Sequence, residues 1–312
     1  MRTFAPGKLV LSGAYAVLEG APAIVAAVSR GAYADSSRAA LSATPEVHAA
    51  LGDATAPHAD ASSMFLGMRK IGLGASAAIL VASLAAIEAD AGADLATPDV
   101  REKLFVLARK AHAAAQSGGS GVDVAASVHG GVIRYVMNEP VRRVALPRGL
   151  QLHVFACGTS ARTSELRARV DQLAETDATL HRSCMDDLAT TANDAVRAVD
   201  AGDGAAFVET LRRTARGLAR LGTSAGVEIV PAGFEELERL AAREDASFSV
   251  SGAGGGDVAV YLGPAAPSAT FIARASALGL FVLDLSIDHK GVRTAPVATV
   301  STTAAQSAPE QR

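Results

Sequence analysis

Residues 69–78 read RKIGLGASAA and lead straight into the apolar run ILVASLAAIEADAG. Two glycines and three small residues at a helix start leave unpaired backbone N–H groups facing outward, where the helix dipole favours an anion. Gly72, Leu73, Gly74, Ala75, Ser76 and Ala77 are therefore candidate phosphate binders, and Ser76 adds a hydroxyl suited to a phosphate oxygen or Mg²⁺. The same residues can also simply cap a helix in an alanine-rich chain. GLGASA fits the dinucleotide pattern G-x-G-x-x-A, but that fingerprint follows a buried strand, and here GMRKI precedes it. No G-x-x-x-x-G-K-[ST] occurs, which excludes a P-loop enzyme.

The 312 residues are enough for two domains. A formal net charge of -3 gives no global field for nucleic acid or an anionic membrane, so an anionic ligand has to be held by a few local cations. No window holds the ~18 uninterrupted apolar residues of a membrane span, and the N-terminus carries no secretory pattern. Cys157 and Cys184 form neither a disulfide framework nor a zinc spacing, so a cytoplasmic setting is expected. The composition fixes no oligomeric state.

Along the chain, KLVLSGAYAVL and PAIVAAV read as buried strands joined by the turn EGAP. Residues 35–63 are polar and poor in large apolar groups, which predicts loop with weak strand. A buried helix ending near Gly92 follows, and Thr97 and Pro98 open a second. LQLHVFACG reads as a strand, then three helical blocks at roughly 164–199, 204–221 and 232–244. FSVSGAGGGDVAVYLG predicts strand, glycine turn, strand; LFVLDLSID closes the fold. Helices and strands mix without regular βα alternation, so the class is α+β.

Three motifs in order, PGK with Gly13 and Ala14 beyond it, GLGASAA at 72–78 and SGAGGGD at 251–257, resemble those of the GHMP kinases. AHAAAQSGGSGVDVAASVHGG, GTSARTSEL and LGTSAGVEIVPAGFEELERLA are similar to segments of the phosphomevalonate kinase branch. His112 stands where mevalonate kinases keep a metal-binding glutamate, which points away from that branch. The resemblance implies a two-lobed GHMP kinase fold, with an N-terminal nucleotide-binding lobe at 1–150, a C-terminal α/β lobe at 151–300 and a flexible tail at 301–312. It also implies ATP and Mg²⁺ as cofactors and a small phosphorylated or hydroxylated acid as acceptor, above all mevalonate 5-phosphate, with no nucleic acid or membrane partner.

On that basis Lys8 and Asp123 are the expected catalytic pair, Lys8 as the cation between donor and acceptor phosphates. A solvated surface lysine and a helix-capping aspartate are the plainer alternatives. Ser76 is the expected metal ligand. Ser251, Gly252, Ala253, Gly254, Gly255 and Gly256 are expected to brace the phosphate loop, with Asp257 capping their turn. Ala14, Tyr15, Lys70, Ser120, Gly121 and Arg162 are candidate acceptor contacts, with Arg69 a further cation. Ala14 replaces the family's glutamate, by drift or because the acceptor pocket is reshaped. His129, His153, His181 and His289 show no ligand spacing and read as structural.

Overall fold

The computed structural model describes residues 1–116, 118–158 and 163–296. The predicted tail at 301–312 and Arg162 lie outside the described residues.

Strand β1 (Arg2–Ser12) runs antiparallel to the long β2 (Ala23–Ala39). The register slips between Pro6 and Gly7 and again between Val10 and Ser12. Proline has no N–H to give the ladder, so a bulge is tolerated there. At Gly7 the backbone lies so close to the segment ahead of the apolar helix that an added Cβ would sit 2.7 Å from the Leu73 carbonyl. The bulge thus carries the Lys8 backbone N–H to the Leu73 carbonyl at 2.9 Å.

After β2 come α1 (Pro45–Leu51), β3 (Pro57–Asp60), the short hairpin β4 (Phe65–Leu66) and β5 (Arg69–Lys70), and then α2 (Ala75–Asp90). Next are α3 (Pro98–Ala115), α4 (Val122–His129), β6 (Val132–Tyr135) and β7 (Arg142–Val144). The first sheet has the order β12-β1-β2-β6-β7, with β3 also on β2 and β12 spanning Arg293–Thr294. Residues 23–28 of β2 are completely buried rather than alternating, because helices cover the sheet: α2 and α4 pack on β1 and β2. Alanines on α2 allow that close approach, and the Thr3 hydroxyl donates to the Ala82 carbonyl at 2.7 Å.

The second sheet has the order β11-β8-β10-β9, from β8 (Gln151–Ala156), β9 (Ser247–Val250), β10 (Val258–Gly263) and β11 (Phe281–Leu283). Helices α5 (Thr163–Thr176), α6 (Ala178–Ala201), α7 (Gly204–Ala225), α8 (Phe234–Ala242) and α9 (Ala269–Ala277) accompany it. Phe155, Phe234, Phe248, Phe271 and Tyr261 interlock as tilted and edge-on ring pairs in its core. The chain then returns to the first sheet, where Ile287 bridges Val28 and β12 pairs with β1. No helix among the described residues is long and apolar enough to cross a membrane.

Three elements differ from the sequence reading. The first strand stops at Ser12, because Gly13 turns left-handed against the Pro22 carbonyl; residues 16–19 then form a 3-10 turn. The polar stretch 35–63 holds the end of β2, helix α1 and strand β3. Its helix starts at Thr44-Pro45, with the Thr44 hydroxyl accepting the Val47 N–H at 3.4 Å, a start signal that the scarcity of large apolar groups obscures. The block at 164–199 is two helices, divided where the Asp177 carboxylate accepts the Leu180 N–H at 3.0 Å and starts α6.

His129 ends α4 with its Nε2 buried and, among the described residues, unpartnered. Burial, with Arg101 and Arg143 adding repulsion, lowers its pKa from 6.5 to about 4. The native chain therefore holds this group neutral while the unfolded chain protonates it, and stability falls as pH drops through that interval. His129→Gln should flatten the fall by about 1–3 kcal/mol, read as the difference in urea midpoints between pH 7 and pH 4.5. An unchanged slope would mean that His129 is not held neutral.

Candidate active site

Gly74, with φ 80°, is the N-cap of α2, and no side chain caps that helix. The N–H groups of the first turn thus have no capping acceptor, and Ala75 and Ser76 of that turn line the cavity. Beneath this turn runs β1, whose Lys8 Nζ donates to the Gly72 carbonyl at 3.2 Å. A Cβ on Gly74 would lie 3.2 Å from Lys8 Cγ and 3.4 Å from Asp123 Cβ, so these two side chains flank the loop at its glycine. Asp123, in the first turn of α4, accepts the Val124 N–H on Oδ1 at 2.9 Å. Burial lowers the pKa of the Lys8 ammonium, and Asp123 and Asp257 pull in the opposite direction.

The third glycine motif arrives from the second sheet. A Cβ on Gly72 would fall 2.4 Å from Asp257 Cβ, which shows how tightly the two loops meet. Ser251 clips the motif to β1: its hydroxyl accepts the Val10 N–H at 2.9 Å and donates to the Val10 carbonyl at 3.2 Å. Gly255 donates to the Ile229 carbonyl at 2.7 Å, and Gly254 packs on the same carbonyl. Opposite, the Ala16 N–H donates to the Ala14 carbonyl at 2.8 Å around Tyr15, whose φ is 62° and ψ -57°. That is the rarer, strained kind of γ-turn. The Tyr15 hydroxyl, its pKa raised by burial, donates to the Ala253 carbonyl at 2.8 Å and ties the turn to the third motif.

These parts enclose a cavity of about 810 Å³. A protein-family model for the GHMP kinases N terminal domain matches residues 64–131, which contain this loop, α2 and Asp123. The mevalonate kinase of Aeropyrum pernix (strain ATCC 700893) is 30% identical over 239 residues, covering 65% of this chain and 71% of that protein. This chain belongs to the GHMP kinase family. The phosphomevalonate kinase of Streptomyces sp. (strain CL190) is 31% identical over 218 residues, 62% of this chain; the match spans 57% of that relative's length. The Streptococcus pneumoniae phosphomevalonate kinase, solved in complex with phosphomevalonate and AMPPNP, shares the fold. It superposes with a TM-score of 0.75 at 20% identity, covering 92% of this chain and 99% of that one.

Within this GHMP member, the cavity brings together Lys8, Ala14, Tyr15, Lys70, Gly72, Gly74, Ala75, Ser76, Ser120, Gly121, Asp123 and residues 251–254. Leu73, Ala77, Gly255 and Gly256 stand behind its wall. Arg69 is on β5 and does not line it. Sequence reasoning did not single out Gln116, Thr163, Ser164, Arg167 or Asp171 as lining residues; His112, which it set at the position of the mevalonate kinases' metal-binding glutamate, also lines the cavity. Arg167 of α5 packs against Gly118 at the cavity wall, with its guanidinium nitrogens 3.8 Å from where a Gly118 Cβ would be. The positive φ values of Gly118 and Gly119, 112° and 135°, are the backbone signal that SGGSG carried.

Among the described residues no cluster of three acidic, histidine or cysteine side chains could hold a metal alone. Ser76 Oγ accepts from Gln116 Nε2 at 3.3 Å, and Gln116 also donates to Glu46 at 2.9 Å. Such a sparse oxygen set fits Mg²⁺, which usually keeps waters and phosphate oxygens as ligands.

Ser251→Ala should leave the buried Val10 N–H without its acceptor and lower stability by about 1–3 kcal/mol. Urea unfolding at pH 7 reads this directly, and an unchanged midpoint would contradict the clip.

Proposed function

We propose that this chain transfers the γ-phosphoryl group of ATP to a small phosphorylated or hydroxylated acid, and that mevalonate 5-phosphate is the acceptor. The observation that carries the reading is the Lys8 ammonium, held beneath the glycine loop by the Gly72 carbonyl and flanking Gly74 together with Asp123. Phosphoryl transfer is largely positioning and charge neutralisation, and a fixed cation at the loop serves both. The uncapped N–H groups at the start of α2 and the Ser76 hydroxyl would hold the donor phosphates. Mg²⁺ at Ser76 would supply further neutralisation when bound.

A phosphate acceptor is largely dianionic at neutral pH, its second pKa being about 6, and has no proton that must be removed. Asp123 then keeps Lys8 in place and charged rather than acting as a base; for an alcohol acceptor it would be the general base. Val17 and Leu18 offer the cavity an apolar wall for a branched carbon chain, and Arg167 offers a forked donor for a carboxylate at the acceptor's far end. Ala14, in place of the family's glutamate, leaves that wall without a negative charge, which favours an acceptor bearing more of it. The Streptomyces relative and the Streptococcus structure, both phosphomevalonate kinases, support the same acceptor class. A cytoplasmic enzyme without nucleic acid or membrane partners goes with this reading.

An ATP-consumption screen of the purified protein across mevalonate, mevalonate 5-phosphate, homoserine and galactose tests it. Turnover should be fastest with mevalonate 5-phosphate; preference for another acceptor would replace the assignment, and no turnover with any would overturn the kinase reading. Arg167→Gln should raise the acceptor KM about tenfold to a hundredfold, since a charged hydrogen bond is worth about 1.5–3 kcal/mol, and leave the ATP KM unchanged.

A further inference from the structure

The cavity wall beside Asp123 carries a buried imidazole, that of His112, to which the proposed transfer gives no role. His112 of α3 exposes only 6% of its side chain, and its Nε2 lies 3.4 Å from Asp123 Oδ2. That nitrogen is buried and makes no hydrogen bond among the described residues. Glu46 of α1, also 6% exposed, lies on the helix that packs on α3 and interacts electrostatically with the same imidazole. Burial pushes the Glu46 carboxyl up, but donors from Gln116, the Glu46 backbone and Thr44, with His112 nearby, outweigh it and hold its pKa down. Asp123 is thus in contact with the buried imidazole, and Glu46 acts on it at longer range.

Asp123 Oδ1 is already fixed by the Val124 N–H at 2.9 Å, so Oδ2 alone decides how the carboxylate is rotated. The only imidazole facing that oxygen among the described residues is His112. We propose that His112 is a positioning residue: its Nε2–H holds Asp123 Oδ2, and Glu46 steadies the imidazole from behind. Contacts of this kind are often long in a free enzyme and tighten when substrate is bound. With both oxygens fixed, Asp123 presents a constant field to Lys8 across Gly74. This inference rests on the phosphotransferase reading and adds to it a residue that touches neither ATP nor the acceptor's reacting atoms.

Steady-state kinetics of three variants test it, with circular dichroism and melting as fold checks. His112→Gln can put an amide N–H near the Nε2 position, whereas His112→Asn reaches only the Nδ1 position and His112→Leu offers no donor. Asn and Leu should lower kcat roughly tenfold to a hundredfold with both KM values little changed, and Gln should recover most of the loss. Equal kcat for Gln and Asn, or a loss that falls on the ATP or acceptor KM, would overturn the proposal. If His112→Leu does not fold, the comparison of Gln with Asn decides alone. An active wild type whose variants keep full kcat contradicts this inference only. A wild type inactive with every acceptor removes the kinase reading and this inference with it.

Discussion

Everything around the cavity is arranged to keep one ammonium group charged out of bulk water. Lys8 points into the protein from β1, where burial alone favours its neutral form, and it stays useful as a cation only because Asp123 and Asp257 oppose that effect. Its ammonium donates to the Gly72 carbonyl at 3.2 Å, so the cation and the glycine loop are a single mechanical unit. The β1 bulge, the left-handed glycines and the absence of side chains at 72 and 74 follow from that need: a Cβ at either position would strike Asp257 or crowd Lys8 and Asp123.

The two sheets are joined at the same place. The Ser251 hydroxyl spans both backbone groups of Val10, two residues beyond Lys8, and the Tyr15 hydroxyl reaches the Ala253 carbonyl from a strained turn. Strain of this kind persists only where neighbouring contacts over-determine it, and it collects at functional walls. In this chain it falls at Ala14 and Tyr15, on the side of the cavity assigned to the acceptor. The loop that holds phosphate and the wall that holds the acceptor are thus referred to one short piece of β1. A small change at the third motif is felt at both.

Much of this was legible in the residues because glycine is informative where φ must be positive. GLGASAA, SGVDVA and SGAGGGD each mark a backbone path that other residues resist, and the structure brings all three to one cavity. Helices α2 and α3 were legible from an unbroken apolar run and from Thr97-Pro98. What the sequence hid are contacts made by distant segments. Glu46 sits in a helix with little apolar pattern, and only the packing of α1 on α3 sets it beside His112. Arg167 is one of two arginines on α5, and nothing in the sequence sets it apart from Arg169 until Gly118 is seen beside it. The return of β12 to β1 is likewise a tertiary choice, made by two residues too few to show any period.

The most direct measurement is turnover of a Lys8→Met variant with Mg-ATP and mevalonate 5-phosphate, beside a melting curve. The neutral side chain fills the same space, so the melting temperature should hold, while kcat should fall by orders of magnitude because the cation flanking Gly74 is lost. A folded Lys8→Met protein with near-normal turnover would show that the cation comes from elsewhere and would contradict the role of Lys8 as the charge that transfer depends on.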